Sequence, residues 1–322
     1  MKNKIFHTQE WSKMKYQSVA ILGAGAVGSY IIWGLTQKKD IDLCVVASGE
    51  RRACYEKEGF FINDKRYDPV IKTPEEARGV DLLIVAMKYN ALRPALKDIR
   101  TVVGEKTTVI SLMNGVDSEE IISEVISSDK IVHSLIKVAS ERDGNHVKFD
   151  PETTIGIVYG EADLSRGTER VEALNDLFAD TGLHYRATDV ILTEIWSKFR
   201  LNVPNNQAQA MVGCGVGAYR DSEHMAFLRD RLREEVDLIA KAKGIDFCKS
   251  DTSSTFGSKV MDRARYSTLQ DLDAKRHTEV DMFAGAIIRM GKELGIPTPY
   301  NEFTYHMIKA LEEKNDGKFD YK

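Results

Sequence analysis

Residues 18–35 read SVAILGAGAVGSYIIWGL, and this stretch decides which fold the sequence predicts. Its first five residues, Ser18–Leu22, are apolar enough for a buried strand, and the residues from Ala26 to Gln37 carry apolar side chains at helical spacing. A Gly-x-Gly-x-x-Gly turn lies between the two. Strand, glycine turn and helix in this order are typical of the first unit of a Rossmann-type domain.

The three glycines of this turn serve separate purposes. Gly23 permits the tight turn, Gly25 lets the backbone approach a pyrophosphate, and Gly28 lets the helix pack closely on the strand. The N–H groups at the helix N-terminus attract the anion. We therefore predict dinucleotide contacts at Gly23, Ala24, Gly25, Ala26, Val27 and Gly28. The alternative is a glycine-rich turn that binds nothing.

Further strand signals follow at regular intervals. They cover Ile41–Ala47, Val80–Met87, Thr107–Leu112, Ile131–Ala139 and Thr154–Tyr159, with a helix predicted over Asn90–Arg100. Strands that are apolar along nearly their whole length are buried on both faces, as in a parallel sheet covered by helices. The first half of the chain is therefore predicted to be α/β, with a Rossmann-type parallel sheet.

The pattern changes near Asp189, beyond which helical spacing prevails. Helical segments are predicted at Val190–Met211, Ser222–Lys243 and Ser267–Leu294. A chain of 322 residues also exceeds one ordinary core. We predict an N-terminal extension (1–16), a dinucleotide-binding Rossmann domain (17–189) and a mostly α-helical substrate and catalytic domain (190–322), with a hinge near residue 189.

Composition narrows the range of partners. A formal net charge of −4 and the lack of a dense basic tract argue against nucleic acid. No apolar run is long enough to cross a membrane, and the N-terminus does not read as a secretory signal. The four cysteines form no CxxC pair, and Cys44 falls within a strand signal. We predict no disulfide, no metal site and a cytoplasmic location.

The end of the second strand bears on which cofactor is used. An NAD enzyme usually has an acidic residue there to bind the ribose 2′-hydroxyl. Here Ser48-Gly49-Glu50-Arg51-Arg52 follows the strand, and a hydroxyl with arginines suits a 2′-phosphate better. We predict that Ser48 and Arg51 contact NADP (NADPH) and favour it over NAD. The alternatives are that the arginines only begin a solvated helix, or that Glu50 faces the ribose.

A polar stripe interrupts the first helix of the second domain. Lys198, Asn202 and Asn206 are spaced four residues apart, so they share one helical face. Asparagine is a poor helix former, and two of them beside a lysine favour a site at the interdomain cleft. The alternative is an ordinary solvated face.

Taken in order, the motifs resemble the 2-dehydropantoate 2-reductase (ketopantoate reductase) family. The similarity extends from Val19 to about Leu311. It rests on GAGAVGSY at 23–30, VAMKYN at 85–90, LMNGV at 112–116, WSKFRLNVPNN at 196–206, YSTLQDL at 266–272, RHTEVD at 276–281 and GIPTPYN at 295–301.

The resemblance implies a role for each matching residue. Lys198 is implied as the general acid, with Glu279 as the second catalytic residue and as a contact of both substrate and cofactor. Asn114, Asn202, Asn206 and Ser267 are implied to bind substrate. Asn114 and Lys88 are also implied to lie beside the cofactor. The chemistry agrees, because hydride addition to a ketone places negative charge on oxygen, which an ammonium stabilises and protonates.

Each of these residues also has an ordinary structural interpretation. Ser267 begins a capping box, S-T-L-Q, and Glu279 could pair with Lys275 or Arg276 on an exposed helix. Asn114 precedes a glycine, as turn asparagines often do, and Lys88 could be a surface residue.

Two departures from the family pattern affect the site. Gln207 follows Asn206 where the family commonly has proline, while Pro204 precedes it and is expected to bend the helix. His133, Leu135 and Lys137 replace smaller residues and are expected to reshape the substrate pocket.

The sequence thus predicts an NADPH-dependent reductase of a small 2-oxo acid, with 2-dehydropantoate as the leading substrate and (R)-pantoate as its product. Two alternatives stay open: reduction of a different 2-oxo acid on the same scaffold, and a non-catalytic NADPH-binding sensor. A homodimer formed through the helical domain is also left open.

Overall fold

A computed structural model describes residues 14–249, residues 261–319 and Tyr321. The strands are β1 (Ser18–Leu22), β2 (Asp42–Val46), β3 (Phe60–Ile62), β4 (Lys65–Tyr67), β5 (Val70–Lys72), β6 (Leu82–Val85), β7 (Thr108–Ser111), β8 (Ile131–Lys137), β9 (Ser140–Asp143), β10 (His146–Phe149), β11 (Gly156–Gly160) and β12 (Tyr185–Ala187). The α-helices are α1 (Ala26–Leu35), α2 (Gly49–Glu58), α3 (Tyr89–Val102), α4 (Ser118–Ser123), α5 (Glu169–Phe178), α6 (Ile191–Val212), α7 (Ala218–Asp221), α8 (Glu223–Ala242), α9 (Ser267–Asp273), α10 (Ala284–Leu294) and α11 (Pro299–Asn315).

Eight strands form the main sheet, in the order β12-β11-β8-β7-β6-β1-β2-β5. Neighbouring strands are parallel, except that β8 and β11 are antiparallel. The apolar runs that predicted strands correspond to β1, β2, β6, β7, β8 and β11. The predicted α/β class, with a parallel-rich sheet first and helices after it, is confirmed.

Side chains on the two faces of this sheet form separate cores. One core lies under α1 and α5 and includes Val19, Ile21, Tyr30, Ile84 and Phe178. The other lies under α3 and α4 and includes Ala20, Leu83, Leu92, Ile99 and Ile122. Both faces are thus covered, which explains why these strands read as continuous apolar runs rather than alternating ones.

Cys44 lies on β2 and is fully buried, as the sequence predicted. Burial raises the pKa of its thiol to about 11. All four cysteines are free thiols. The cytoplasmic location stays a prediction.

A second, four-stranded sheet was missing from the sequence prediction. Its order is β4-β3-β10-β9, and it packs on α1, where the Phe149 ring makes edge contacts with Tyr30 and Trp33 at centroid distances of 5.1 and 5.5 Å. Its strands are three or four residues long, too short for their alternation to stand out from loop sequence.

The helical part is built on α6, which packs against α8, α9 and α11. Ser222 begins the predicted second helix as its N-cap, because its hydroxyl accepts the backbone N–H of Met225 at 3.3 Å. Helix α6 continues through Pro204 to a left-handed Gly213.

The predicted helical segment Ser267–Leu294 is wrong as a single element. It forms two helices, α9 and α10, separated by residues 274–283. Lys275 there adopts a left-handed conformation, with φ of 53°, which ends α9. The apolar spacing continued across the break because Val280, Met282 and Phe283 are buried without being helical.

The boundaries predicted for the three regions stay predictions. Residues 1–13 of the predicted N-terminal extension lie outside the described residues. Tyr16, at the end of that predicted extension, is 4% exposed and belongs to the core beside α1. Within the described ranges 14–249 and 261–319, no helix combines the length and the apolar character needed to span a membrane.

Candidate active site

The glycine turn has the geometry that a dinucleotide requires. Gly23 has a φ of 100°, and a Cβ on Gly28 would lie 2.1 Å from the carbonyl oxygen of Gly23, so a larger residue at Gly28 would separate helix from strand. Among the described residues, and chain neighbours aside, a Cβ on Gly25 would meet one atom within 4 Å, at 3.3 Å. Gly25 caps α1, whose first turn contains no acidic side chain. The turn therefore fits a pyrophosphate on the helix N-terminus.

The second cofactor contact predicted from sequence lies at the start of α2. Ser48 is the N-cap residue of this helix, and Arg51 is exposed in its first turn. Arg52 is engaged elsewhere, because its guanidinium pairs with Glu56 and Glu76 at 2.8 Å each. Arg51 forms no ion pair within the part of the chain that the structure describes. Of these two arginines, Arg51 is therefore the better placed to bind a 2′-phosphate.

Lys198 projects from α6 toward the carboxyl edge of the main sheet. Its ammonium donates to the Asn114 Oδ1 atom at 2.7 Å and to the carbonyl oxygen of Ile136 at 2.6 Å. Asn114 follows β7, and Ile136 lies near the end of β8. The ammonium is thus held at the edge where α/β sheets bind ligands, with one of its three N–H donors left over.

Burial lowers the pKa of Lys198 to about 8. The positive charge of Lys137 lowers it further, whereas the charge of Glu279 opposes the shift. A pKa near neutrality suits a lysine that donates a proton during catalysis.

Glu279 lies in the irregular segment between α9 and α10 and is partly buried. Its Oε1 atom accepts the backbone N–H of Tyr89, the first residue of α3, at 2.9 Å. Burial raises the pKa of Glu279, while the Tyr89 N–H and the charge of Lys88 oppose this. The alternative of an exposed pair with Arg276 is wrong, because Arg276 binds Asp271 instead, at 2.8 Å.

Lys88 lies between the sheet and the helical part. Its ammonium pairs with the buried carboxylate of Asp271, on α9, at 3.0 Å, while most of the lysine side chain is exposed. Asp271 therefore holds Lys88 and Arg276 together beside Glu279. Sequence analysis missed Asp271, since one carboxylate in an amphipathic helix carries no signal of its own.

Asn202 and Asn206 have different environments on α6. Asn202 is partly exposed, one turn after Lys198. Asn206 is 4% exposed, and its side-chain N–H donates to the Asn202 carbonyl oxygen at 3.0 Å. Its Oδ1 atom accepts the Ser267 hydroxyl at 3.1 Å and the Thr268 N–H at 3.4 Å. Asn206 thus joins α6 to the start of α9.

The capping box expected at Ser267 is not formed. Helix α9 has no side-chain cap from its own N-cap residue, and the Gln270 side chain donates instead to the carbonyl oxygen of Arg265 at 2.7 Å. Asn206 supplies an acceptor from another helix in its place. The Ser267 side chain stays exposed at this junction.

Only part of segment 132–137 faces the lysine. Leu135 is buried against Val158 and Ile195, and His133 lines a cavity of about 210 Å³ together with Glu119 and Trp196. The expectation that His133, Leu135 and Lys137 reshape the substrate pocket stays a prediction. Lys137 acts on Lys198 through its charge. Sequence analysis also missed the Ile136 carbonyl, because backbone acceptors leave no trace in side-chain patterns.

A turn with dinucleotide geometry on a parallel-rich sheet, and a lysine brought to the sheet edge by a helical second part, define a two-part dinucleotide-binding enzyme fold. Family models agree: "Ketopantoate reductase PanE/ApbA" matches residues 19–160, and "Ketopantoate reductase PanE/ApbA C terminal" matches residues 190–312. The chain belongs to the ketopantoate reductase family, which confirms the predicted resemblance.

Individual relatives are distant but cover nearly the whole chain. The 2-dehydropantoate 2-reductase of Mesorhizobium japonicum is 26% identical, over 91% of this chain and 97% of its own length. A PanE/ApbA family ketopantoate reductase from Ralstonia eutropha JMP134 superposes with a TM-score of 0.78 at 24% identity, covering 93% of this chain and 99% of that one. D-Mandelate dehydrogenase with NADH and anilino(oxo)acetate gives 0.79 at 24% identity, with the same coverage. These proteins are oxidoreductases, and the two structures share the fold of this chain.

Proposed function

We propose that this protein reduces 2-dehydropantoate to (R)-pantoate with NADPH, using Lys198 as the general acid. The observation that carries the proposal is the position of the Lys198 ammonium, fixed between Asn114 Oδ1 and the Ile136 carbonyl at the carboxyl edge of the sheet. Family membership supplies the reaction class, and this ammonium supplies a proton donor for it.

A bound nicotinamide supplies the hydride in this class of reaction. Side chains of the protein bind the substrate and supply the proton. Two acceptors orient Lys198, so its remaining N–H can point at the substrate carbonyl, where negative charge develops. Its pKa of about 8 keeps it largely protonated at pH 7 and lets it release the proton to a newly formed alkoxide.

Substrate recognition is proposed for the side chains around this ammonium. Glu279 accepts a hydrogen bond from the substrate hydroxyl, and Asn202 and Ser267 bind the rest of the molecule. Asn206 has both polar atoms engaged, so its proposed contribution is to hold Ser267 and the Asn202 backbone in place.

Cofactor binding is proposed for the glycine turn, Ser48, Arg51, Lys88, Asn114 and Glu279. The preference for NADPH over NADH rests on Arg51, which is exposed in the first turn of α2 and has no competing ion pair in the described ranges. Glu50 lies in the same turn, and a carboxylate facing the ribose would favour NADH instead. Comparing NADPH with NADH distinguishes the two cases.

The deciding experiment offers the purified protein NADPH or NADH with 2-dehydropantoate and a panel of other 2-oxo acids, and follows cofactor oxidation. Turnover of 2-dehydropantoate with NADPH is the expected result. Turnover of another oxo acid alone would transfer the proposal to that substrate. Tight NADPH binding without any turnover would instead favour a sensor.

A Lys198→Met variant tests the acid directly. Removing the ammonium while keeping an unbranched side chain should lower kcat by about 10²-fold or more, with NADPH affinity changed little. Near-normal turnover in this variant would contradict the role of Lys198.

We also propose a homodimer formed through the helical part. Sedimentation velocity over a range of protein concentrations tests it, and a single monomeric species at all concentrations would contradict it.

A further inference from the structure

An arginine from the second sheet reaches the glycine turn. A Cβ on Gly25 would lie 3.3 Å from Nη1 of Arg142, which is the one contact within 4 Å among the residues that the structure describes, chain neighbours aside. Arg142 lies on β9, far along the chain from the turn, and was not among the predicted site residues. Gly25 is the position at which a bound pyrophosphate comes nearest to the backbone.

The fold explains why this side chain points toward α1. Arg142 pairs directly with Val147 across β9 and β10, and directly opposed residues of antiparallel strands share one face of the sheet. Val147 and Phe149 project from that face into the core beside α1. The second sheet is therefore anchored on α1 by its apolar side chains, with Arg142 on the same face.

A second contact fixes the orientation of the guanidinium. Its Nε atom donates to the carbonyl oxygen of Gly144, in the turn of the same hairpin, at 2.9 Å. This bond leaves both terminal nitrogens for other partners, and Nη1 is the one beside Gly25. Within the described ranges 14–249 and 261–319, Arg142 forms no ion pair with a carboxylate.

The charges around the Arg142 guanidinium indicate which kind of ligand it binds. The N-terminus of α1 carries a partial positive charge, and its first turn has no acidic residue. A guanidinium beside that end is unfavourable until an anion lies between the two. A phosphate oxygen satisfies both, because guanidinium and helix N–H groups are each phosphate donors.

We propose that Arg142 binds the pyrophosphate of the dinucleotide, closing over it from the side opposite the α1 N-terminus. This inference rests on the proposed cofactor and deepens it. The 2′-phosphate is assigned elsewhere, to Ser48 and Arg51 beyond β2. Arg142 therefore contributes to binding NADPH and NADH alike, whereas Arg51 distinguishes between them.

The test measures dissociation constants of NADPH and NADH by cofactor fluorescence for the wild type, Arg142→Gln and Arg51→Gln. We expect Arg142→Gln to raise both constants by a similar factor of about ten, the size of one charge-assisted phosphate contact. Arg51→Gln should raise the constant for NADPH only. Arg142→Lys keeps the charge but not the paired donors, and should fall between the wild type and Arg142→Gln.

Lys148→Gln is the matched control, since Lys148 is on the same hairpin and pairs with the exposed Asp64 at 3.0 Å. It should leave both constants unchanged. Unchanged affinity in Arg142→Gln, or a loss confined to NADPH, would overturn the assignment to the pyrophosphate while the proposed function stands. A wild type that binds neither dinucleotide would overturn the proposed function and this inference together.

Discussion

At the scale of a single residue, the pKa of Lys198 depends on a neighbour of like charge. The ammonium is held by two acceptors, and its pKa of about 8 results first from burial and then from the charge of Lys137. Both causes favour the neutral amine. The same residue can therefore donate a proton at pH 7 and is already losing that ability at slightly alkaline pH.

This gives a pH dependence for the reduction. The acid must be protonated to act, so kcat/KM, which reports ionisations of the free enzyme, should be constant below about pH 8 and fall tenfold per pH unit above it. Lys137→Gln removes a positive charge, which raises the pKa of Lys198 and moves the alkaline limb to higher pH. Initial rates at oxo acid concentrations well below KM, measured from pH 6 to 10, give this profile.

Lys106→Gln, at an exposed position before β7, is the control and should leave the limb in place. An alkaline limb that does not move in Lys137→Gln would show that Lys137 does not act on Lys198 through charge.

At the scale of the element, backbone contacts decide how a substitution affects stability and binding. The glycine turn and the start of α9 are two examples. Gly25 and Gly28 look alike in the sequence, but their surroundings differ. An added Cβ at Gly28 meets the Gly23 carbonyl at 2.1 Å, whereas at Gly25 it meets the end of the Arg142 side chain at 3.3 Å.

Gly28→Ala should therefore lower the free energy of unfolding by about 1–3 kcal/mol, since helix and strand must separate. Gly25→Ala should leave stability nearly unchanged and weaken dinucleotide binding instead. Urea unfolding and cofactor titration of both variants check this. Equal loss of stability in the two would be inconsistent with the geometry of the turn.

Asn206 connects two helices that sequence analysis treated separately. Asn206→Ala leaves the Thr268 N–H without its acceptor, so we expect a loss of about 1–3 kcal/mol in the free energy of unfolding. Ser267 also loses its partner, so the KM for the oxo acid should rise more than kcat falls.

Asn205→Ala, one residue earlier, is the matched control. Its side chain makes no hydrogen bond within the described part of the chain, so the substitution should be close to neutral. If both variants lose stability equally, the loss reflects the helix rather than its link to α9.

At the scale of the whole molecule, a polar cluster joins the sheet to the helical part outside the residues proposed to be catalytic. Arg289, on α10, donates to Asp117 and to the Tyr89 hydroxyl at 2.7 Å each, and that hydroxyl donates to Asp117 at 2.7 Å. Tyr89 is also the residue whose backbone N–H binds Glu279. The cluster thus fixes the start of α3 against α10 and the irregular segment that carries Glu279.

Arg289→Ala should lower the free energy of unfolding by about 1 kcal/mol, a modest value because the arginine side chain is 47% exposed. Urea unfolding measures it. Arg220→Ala removes pairs with Asp221 and Asp262 from a side chain that is 64% exposed, so it should change the free energy of unfolding less than Arg289→Ala does. A larger effect at Arg220 than at Arg289 would contradict a role for the cluster in joining the sheet to the helical part.

The sequence by itself determined the features that depend on neighbouring residues. Strand, glycine turn and helix at 18–35 are local, and so is the spacing that puts Lys198 and Asn202 on one face of α6, since both follow from the periods of strand and helix. Motif order along the chain was enough to indicate the family. The break between α9 and α10 was missed because buried apolar residues occur in irregular segments as well as in helices.

Only the tertiary structure decided which distant groups meet. Lys198 binds Asn114, 84 residues away, and a backbone carbonyl 62 residues away. Asn206 faces α9 rather than an open cleft, and Arg142 reaches Gly25 because a short second sheet packs on α1. Such contacts depend on how elements pack and on backbone atoms that every residue shares, so no local pattern of side chains encodes them.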